Sequence, residues 1–399
     1  MLPPRLLARL PWLLLAAAAC LVGLGWLGIA RAEELSGTDG GFLRRQIVWS
    51  ALASLALVAA AVPNYQIIRR WTYLAYGLAI VLLIAVYFWP AINGSHRWMR
   101  LGGVGLQPSE FAKLAFVLAL ARYLMYRDNH RRLVGLLLPL WLTAIPVVLI
   151  LKEPDLGTAL VFLPVLFCML AAAGARWRDL AKLGGVGLLL LPLLWVQMSR
   201  EQKSRISGLL HQAPAGDRPR EDGYHLYQSK QMLALGGPWG SLLQGEAVDD
   251  RAAIRLPESH SDFVFSVIGE RLGLWGIAGL LLLYVIFVWR GLRIAETTRE
   301  PFGRLVAVGV VSLFAIETLI NTGMTIGLLP ITGMSLPLVS YGGSGLLAHA
   351  LAIGLLVNIA MRPGYELARE PFHFAADQKP NRRARIKADS NATSRMKVY

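Results

Sequence analysis

Ten long apolar runs dominate this chain, and each is long enough to cross a bilayer as a helix. A membrane-spanning helix needs about 20 mostly apolar residues, because lipid offers no partners to unpaired backbone groups. Of the residues, 55% are hydrophobic and only 16% are charged, a balance typical of integral membrane proteins. The sequence therefore predicts an all-α polytopic membrane protein with about ten transmembrane helices, near residues 10–30, 44–62, 71–91, 106–125, 133–151, 155–174, 179–197, 262–289, 304–328 and 335–361.

The distribution of Lys and Arg predicts the orientation of these helices. Ten spans place both termini on one side of the membrane, and the connecting segments on that side carry more basic residues than the short segments opposite. Basic residues favour the inner side, so both termini are expected in the cytoplasm. Residues 1–361 then form the membrane domain and residues 362–399 a basic, disordered cytoplasmic tail. Topology and tail account for the net charge of +15, so no nucleic-acid partner is needed.

One connecting segment is much longer than the others. Residues 198–261 separate the seventh and eighth predicted helices and lie on the outer, extracytoplasmic side. Long loops in compact proteins are usually functional. The spacing of apolar residues predicts a short amphipathic helix over Tyr227 to Leu235, suited to the membrane surface.

Asp262 stands where this loop enters the eighth predicted helix, in the stretch LPESHSDFVFSVIGERLGLWG. A carboxylate at the border between water and hydrocarbon is costly unless it is hydrated, paired or used in function. The alternative is a helix cap, in which Ser261 or Asp262 accepts the first unpaired N–H groups. Asp262 is therefore a candidate catalytic residue with a structural alternative.

A second polar cluster lies between Asn93 and Leu114. Arg97, Trp98 and Arg100 occupy an outer loop, where positive charge opposes the expected orientation and suits an anion such as phosphate. Glu110 and Lys113 are three residues apart on one helical face and within pairing reach. The alternative for this pair is a buried ion pair that holds helices together.

Two further clusters interrupt the apolar pattern on the outer side. Asp155 and Thr158 begin the sixth predicted helix, where they either cap it, or hold a metal or orient a basic partner. Ser340 and Ser344 flank glycines within the tenth span, and irregular backbone at membrane depth usually lines a cavity. Tight packing of small residues is the alternative. Glu317, one turn from Asn321, is expected to face the same cavity.

Several common site types are excluded by their signatures. The chain has no Walker A loop and no HExxH sequence. Cys20 and Cys168 lie inside apolar runs and offer neither a disulfide framework nor a metal-ligand spacing.

Four motifs and the overall layout together resemble the SEDS family of cell-wall polymerases, the group of RodA, FtsW and SpoVE. They run in the family's order from about residue 90 to 361: GSHRWMRLGGVGLQPSEFAKL, KEPDLGTAL, LPESHSDFVFSVIGERLGLWG, NTGMTIGLLPITGMSLPLVSYGGSG and the layout with one long outer loop. The loop sequence YHLYQSKQMLALGGPWG favours the RodA branch. Departures include Ser261, where Thr is usual, and Glu153, where Gln is common.

The resemblance implies a peptidoglycan glycosyltransferase that polymerises lipid II at the outer face of the bacterial cytoplasmic membrane, for cell-wall elongation. It implies a class B penicillin-binding protein as the partner transpeptidase, together with other membrane proteins of the elongation or division complexes. Residue by residue, it carries the essential aspartate to Asp262, the Glu-Lys pair to Glu110 and Lys113, the Arg-Trp loop to Arg97 and Trp98, and a further aspartate to Asp155.

Glycosyl transfer from a lipid pyrophosphate needs a base for the acceptor hydroxyl and positive charge for the leaving group. We expect Asp262 to be the base, and Arg97, Arg100 and Lys113 to bind the pyrophosphate. A divalent cation, Mg²⁺ or Mn²⁺, is a further candidate. The competing hypotheses are a lipid II flippase or ion-coupled carrier, a scaffold that only recruits a synthase, and an FtsW-like polymerase of cell division.

Overall fold

The architecture is a bundle of long helices. The computed structural model describes residues 9–37, 40–91, 95–101, 104–126, 133–198, 200–210, 222–244, 256 and 258–362. The predicted tail after Arg362 lies outside these residues, as do Gly102 and Gly103. The α-helices are α1 Trp12–Ser36, α2 Phe42–Ala61, α3 Tyr65–Ala85, α4 Pro108–Leu124, α5 Leu137–Lys152, α6 Leu156–Ala172, α7 Trp177–Gln197, α8 Arg200–Leu210, α9 Asp222–Gly236, α10 Ser241–Gln244, α11 Val264–Thr297, α12 Pro301–Ile326 and α13 Gly343–Met361.

Each predicted span is matched by one of these helices. Six helical segments among the described residues are long and apolar enough to cross a membrane: Trp12–Ser36, Phe42–Ala61, Tyr65–Phe88, Val264–Thr297, Pro301–Ile326 and Gly343–Met361. Helices α5 and α6 are apolar but shorter. The prediction of a multi-pass helical membrane protein is confirmed, and the count of ten spans stays a prediction.

Local chemistry explains where several helices begin. Helices α4 and α12 start with proline, whose missing N–H is not needed in the first turn. Glu300 precedes α12, and its carboxylate accepts a hydrogen bond of 2.6 Å from the Gly303 N–H. Asp155 caps α6 in the same way, through a bond of 3.2 Å from the Thr158 N–H. Polar residues at these borders therefore satisfy backbone donors that lipid cannot.

Polar contacts tie the helices together inside the bundle. Helix α1 packs along α11, and Arg31 of α1 donates two hydrogen bonds, of 2.9 and 2.7 Å, to the Glu270 carboxylate. Helix α2 packs along α13, where the Asn358 amide donates to the Ala60 carbonyl at 2.8 Å. These contacts fix how α1 and α2 lie against the later helices.

The described part of the predicted outer loop is helical. Helices α8, α9 and α10 lie there, and α9 contains and extends the helix predicted over Tyr227 to Leu235. The α9–α10 turn touches the backbone of α11. A Cβ on Gly240 would lie 2.4 Å from the Arg271 carbonyl oxygen, and Gly273 has a φ of +68°. Glycine is required at both positions.

Two features depart from the sequence prediction. The last helix begins at Gly343, not near 335, so Ser340 lies before the helix and not within a span. Pro330, Gly333 and Pro337 interrupt the preceding apolar segment, which has no regular structure up to Leu336. In addition, strands β1 Met99–Leu101 and β2 Val104–Leu106 form a small antiparallel hairpin that an all-α description omits.

Candidate active site

A cavity of about 1330 Å³ opens among the helices. Most of the predicted site residues line it. From the predicted set these are Arg97, Trp98, Glu110, Asp155, Asp262 and Ser340, and further lining residues include Arg44, Arg45, Trp49, Arg205, Glu258, His260, Tyr341 and His349.

Five helix N-termini converge on this cavity. Residues at or just before the first turns of α2, α4, α6, α11 and α13 all line it: Gly41, Gln107, Asp155, Asp262 and Gly342. Unpaired N–H groups give each N-terminus a partial positive charge. The cavity is therefore suited to an anionic group such as a phosphate.

Asp262 lies at the cavity wall, one residue before the N-cap residue of α11. The N-cap residue is Phe263, and no side chain caps the helix, so neither Ser261 nor Asp262 plays the capping role that the sequence left open. The Ser261 hydroxyl instead donates to Glu258 at 3.1 Å. Asp262 is partly exposed and lines the cavity.

Three consecutive carbonyls hold the backbone around Asp262. The Tyr341 N–H donates to the His260 carbonyl at 2.9 Å. The Ser340 hydroxyl donates to the Ser261 carbonyl, and the Asn321 amide donates to the Asp262 carbonyl at 2.9 Å. The segment before α13 and helix α12 thus fix the backbone that carries the Asp262 side chain, and a pre-organised catalytic group requires such support.

The surroundings of Asp262 raise the pKa of its carboxyl group. Burial, together with the nearby Glu258 charge, raises the pKa of Asp262 to about 6, although the Ser261 hydroxyl lowers it in part. Burial also lowers the pKa of His260, two residues away. A carboxylate with a pKa of about 6 is mostly ionised at neutral pH and is a stronger base than an ordinary aspartate.

Only part of the Arg-Trp loop lies at the cavity. The Arg97 guanidinium reaches the cavity and donates to the Glu153 carbonyl at 3.2 Å and to the Pro154 carbonyl. Trp98 lines the cavity next to Gly105. Arg100 lies on β1 with its side chain exposed and outside the cavity lining. The structure therefore does not bring Arg100 to the place where it was expected to bind phosphate.

Asp155 has the capping role that the sequence left open, and it also lines the cavity. Its carboxylate accepts from the Thr158 N–H at 3.2 Å and from the Thr158 hydroxyl at 2.9 Å. The neighbouring Glu153 is buried, and neither of its carboxylate oxygens has a hydrogen-bond partner among the described residues. Burial first, and then the Asp155 charge, raise the pKa of Glu153 to about 8. Glu153 is therefore mostly neutral at pH 7.

Glu110 and Lys113 form the ion pair that the sequence allowed, within a larger buried group. The Lys113 ammonium donates to Glu110 at 2.9 Å and to Glu317 at 2.5 Å. The other Glu317 oxygen lies 2.7 Å from Nε2 of His349. Lys113 is absent from the cavity lining, so it is not placed to touch a pyrophosphate directly. Glu110, Glu317 and His349 are close enough together to be candidate metal ligands.

The two serines have different positions. Ser340 lines the cavity, and its hydroxyl accepts from the Leu336 N–H at 2.7 Å besides donating to Ser261. Ser344 is buried outside the lining and bridges the Gln107 N–H and the Gly105 carbonyl, both at 3.1 Å. Both hydroxyls therefore have structural partners, and only Ser340 lies beside the cavity.

The sequence reasoning missed the wall contributed by α2. Arg44 and Arg45 are exposed at its first turn, and Trp49 follows one turn later on the same side of the cavity. The Phe42 ring stacks on His260 with centroids 4.2 Å apart, which fixes this helix against the segment of Asp262. The available signal was the pair of arginines on the outer side, where the expected orientation disfavours them.

Comparison with known proteins identifies the family. The model of the FtsW, RodA and SpoVE family, described as "Cell cycle protein", matches residues 7–364. The chain is 35% identical over 370 residues to a probable peptidoglycan glycosyltransferase FtsW of Trichlorobacter lovleyi, covering 90% of this chain and 94% of that protein. It is 37% identical over 332 residues to the peptidoglycan glycosyltransferase MrdB of Escherichia coli K12, covering 81% and 87%.

Solved structures agree with the sequence comparison. A chain of a peptidoglycan synthase complex, described by its coordination of polymerization and crosslinking, superposes with a TM-score of 0.76 at 31% identity, covering 89% of this chain and 98% of that one. The rod shape determining protein RodA of Thermus thermophilus superposes with a TM-score of 0.65 at 29% identity, with the same coverage. Matched along nearly its whole length in sequence and in fold, the chain belongs to the FtsW, RodA and SpoVE family, the SEDS family of peptidoglycan glycosyltransferases.

Proposed function

We propose that this chain polymerises lipid II into glycan strands at the outer face of the bacterial cytoplasmic membrane, with Asp262 as the general base. The observation that carries the proposal is the placement of Asp262: a carboxylate with a raised pKa lines a cavity on which five helix N-termini converge. A base and a site for an anionic leaving group therefore share one space.

The reaction follows from these two elements. The Asp262 carboxylate accepts the proton of the acceptor sugar hydroxyl as its oxygen attacks the anomeric carbon of the donor. The bond from that carbon to the pyrophosphate breaks, and the leaving oxygen keeps the electron pair. One displacement of this kind inverts the anomeric carbon. Arg97 and the helix N-termini stabilise the charge that develops on the pyrophosphate.

A polymerisation assay tests this proposal. Purified wild type and Asp262→Ala are given labelled lipid II in detergent, where no transport across a membrane is possible. We expect glycan polymer from the wild type and none from the variant. If the wild type makes no polymer even with its partner transpeptidase present, the proposal fails.

A lipid II flippase or ion-coupled carrier is the second candidate. The buried charges of Lys113 and Glu317 within the helices favour it, because carriers use such groups as relays. Lipid II reconstituted in vesicles with this chain distinguishes the two. Transfer of lipid II between leaflets without polymer formation identifies a carrier.

We further propose a role in elongation, with a class B penicillin-binding protein as partner. The loop wording around Tyr224 to Gly240 supports the elongation branch, whereas relatives named FtsW align over more of the chain. Expression in bacterial cells depleted of either polymerase tests this. We expect rescue of rod shape and not of septation, and co-purification with the elongation transpeptidase.

The orientation belongs to this proposal as well. With both termini in the cytoplasm, as the basic residues favour, the cavity opens on the outer side, where lipid II would be polymerised. A cysteine introduced at exposed Arg44 is expected to react with a membrane-impermeant maleimide in intact spheroplasts. Reaction only after lysis would reverse the orientation.

A further inference from the structure

Glu153 is a buried acidic residue beside the cavity to which the proposed reaction assigns no role. It is 1% exposed and lies in the turn between α5 and α6. Neither oxygen of its carboxyl group accepts a hydrogen bond from any of the described residues. Because desolvating a carboxylate without compensation is costly, the charge state of this group needs an explanation.

The position of Glu153 in the fold favours a neutral side chain. Glu153 is the C-cap residue of α5, and its N–H donates to the Leu149 and Ile150 carbonyls at 3.3 and 3.1 Å. The C-terminus of a helix carries a partial negative charge, which repels a carboxylate. Asp155 adds a like charge at the start of α6. These contacts agree with the pKa of about 8 that burial, followed by the Asp155 charge, gives to Glu153.

Arg97 is the positive charge that acts on Glu153, but its guanidinium is bonded to backbone. Nε of Arg97 donates to the Glu153 carbonyl at 3.2 Å, and a terminal nitrogen donates to the Pro154 carbonyl. Carbonyl groups carry no net charge, so they hold the guanidinium at the cavity without neutralising it. The charge of Arg97 therefore stays available to an anion in the cavity.

The third titratable group near Glu153 is Tyr87, in the 3-10 turn Val86–Phe88 that follows α3. Its hydroxyl donates to the Leu149 carbonyl of α5, so its proton is directed at the backbone and not at the Glu153 carboxyl group. Among the described residues, the groups that face Glu153 are thus an acid on α6, an arginine before β1 and this phenol. Of these, Arg97 is the one whose charge a change at Glu153 would alter in effect.

We propose that Glu153 acts as a neutral carboxylic acid that leaves the charge of Arg97 to the departing pyrophosphate, and that its ionisation slows polymerisation. This role rests on the proposed function. A carboxylate is a stronger acceptor for a guanidinium than a carbonyl is, so ionised Glu153 would compete with the pyrophosphate for Arg97. Pro154 and Asp155 line the cavity whereas Glu153 does not, so Glu153 is a positioning residue and touches no substrate.

Infrared spectroscopy of the purified full-length protein tests the charge state without substrate. A protonated carboxyl group has a carbonyl stretching band that a carboxylate lacks. We expect the wild type to lose such a band as the pH rises through about 8. Glu153→Gln should lack this change, since its amide does not titrate. If wild type and variant lose the same band over this pH range, the proposal is overturned.

The pH profile of polymerisation tests the role itself. Between pH 7 and pH 9 the rate of the wild type should fall about tenfold, because one charge that stabilises the leaving group is neutralised. Glu153→Gln has the same size and stays neutral, so its ratio of the rate at pH 9 to the rate at pH 7 should be about tenfold higher than that of the wild type. An equal ratio in the two proteins refutes the role. Should Glu153→Gln fail to fold, Glu153→Met, which is equally neutral, replaces it.

Two further variants show whether the effect is specific and passes through Arg97. Glu300 is a buried carboxylate at the start of α12 that pairs with Arg69, outside the cavity lining. Glu300→Gln should keep the alkaline fall of the wild type. In an Arg97→Ala background, adding Glu153→Gln should change the ratio by less than about twofold, since the partner is gone. A tenfold change there would mean that Glu153 does not act through Arg97.

Thermal unfolding of each protein at pH 7 and pH 9 separates loss of activity from loss of fold. The two hypotheses also fail differently. Without polymer from the wild type at any pH, the proposed function fails, and the role of Glu153 fails with it even if the infrared band behaves as expected. With polymer at pH 7 and the same alkaline fall in Glu153→Gln, the function stands and the role of Glu153 is refuted.

Discussion

Two kinds of buried carboxylate occur in this protein, and they differ in how completely they are paired. Glu270 accepts two hydrogen bonds from Arg31, at 2.9 and 2.7 Å, so both of its oxygens are used. Glu110 accepts only from Lys113, through one oxygen, and the other is buried without a partner among the described residues. Both residues are less than 10% exposed.

The difference separates a structural role from a functional one. A fully paired carboxylate in a helix interface has its desolvation offset by its own partner, and nothing further can bind to it. An incompletely paired one keeps an unfavourable free energy that a ligand can relieve. Burial alone therefore does not identify a functional charge, and the pairing of each carboxylate oxygen is a second observation to weigh beside it. Glu153, with both oxygens unpartnered among the described residues, belongs to the incompletely paired kind as well.

Asp262 gives the largest expected effect, because it lines the cavity and is the proposed general base. Asp262→Asn keeps the size of the side chain and removes the base. We expect polymerisation of labelled lipid II to fall by about 10²- to 10⁴-fold, the usual contribution of a general base. Glu296→Gln, an exposed carboxylate on the last turn of α11, is the control and should keep full activity. If Asp262→Asn polymerises lipid II at a rate within tenfold of the wild type, Asp262 is not the general base.

Substitution of Glu270 should give the largest loss of stability with little loss of catalytic activity. Glu270→Gln removes the charge that pairs with Arg31 between α1 and α11 and leaves Arg31 only the exposed Glu34 as an ionic partner. Breaking a buried pair costs about 3–5 kcal/mol. We expect a large fall in the unfolding midpoint in detergent, and unchanged polymerisation per folded molecule.

The double variant Arg31→Met with Glu270→Met sharpens this test. Removing both charges avoids an unpaired one, so most of the stability should return. If the double variant is no more stable than Glu270→Gln, the destabilisation does not come from an Arg31 charge that has lost its buried partner.

The pH dependence of the reaction should show the raised pKa of Asp262. A general base acts only when ionised, so activity should be lost as the pH falls through about 6. Because the Glu258 charge helps to raise this pKa, Glu258→Gln should move the midpoint to lower pH. Initial rates between pH 5 and 8 measure the shift. A midpoint that stays in place, or moves upward, contradicts the assigned cause.

The smallest effect on stability is expected at an ion pair that is exposed to solvent. Arg293 and Glu296 are one turn apart on α11, 2.9 Å from each other, and both are more than half exposed. Arg293→Ala should lower the free energy of unfolding by about 0.5 kcal/mol or less, because water screens the pair. A loss comparable to that of Glu270→Gln would mean that exposure does not distinguish these pairs.

Most of the helices could be predicted from the sequence, because apolar runs long enough to span a membrane are visible in it. The start of α13 could not, because the segment before it is as apolar as a helix and only Pro330, Gly333 and Pro337 mark the interruption. The predicted site residues were mostly gathered in one cavity, with Arg100, Lys113 and Ser344 outside its lining.

What the sequence lacked was contact between distant segments. Glu110 and Lys113 are three residues apart, so their pairing could be expected, but Glu317 and His349 join them only through the packing of α4, α12 and α13. The convergence of five helix N-termini could have been predicted from the sequence. Alternate spans start on the same side of a membrane, and the motifs lie at those starts.

The close approach of Gly240 and Gly273 has a mechanical consequence. The Leu274 N–H donates to the Gly237 carbonyl at 2.9 Å, and a Cβ on Gly273 would lie 2.4 Å from the Gly240 nitrogen. Two backbones in contact leave no compressible side chain between them. Force applied to α9 therefore passes directly into α11 at Gly273, where a break in the helical geometry separates the turns that follow Asp262 from the rest of the helix.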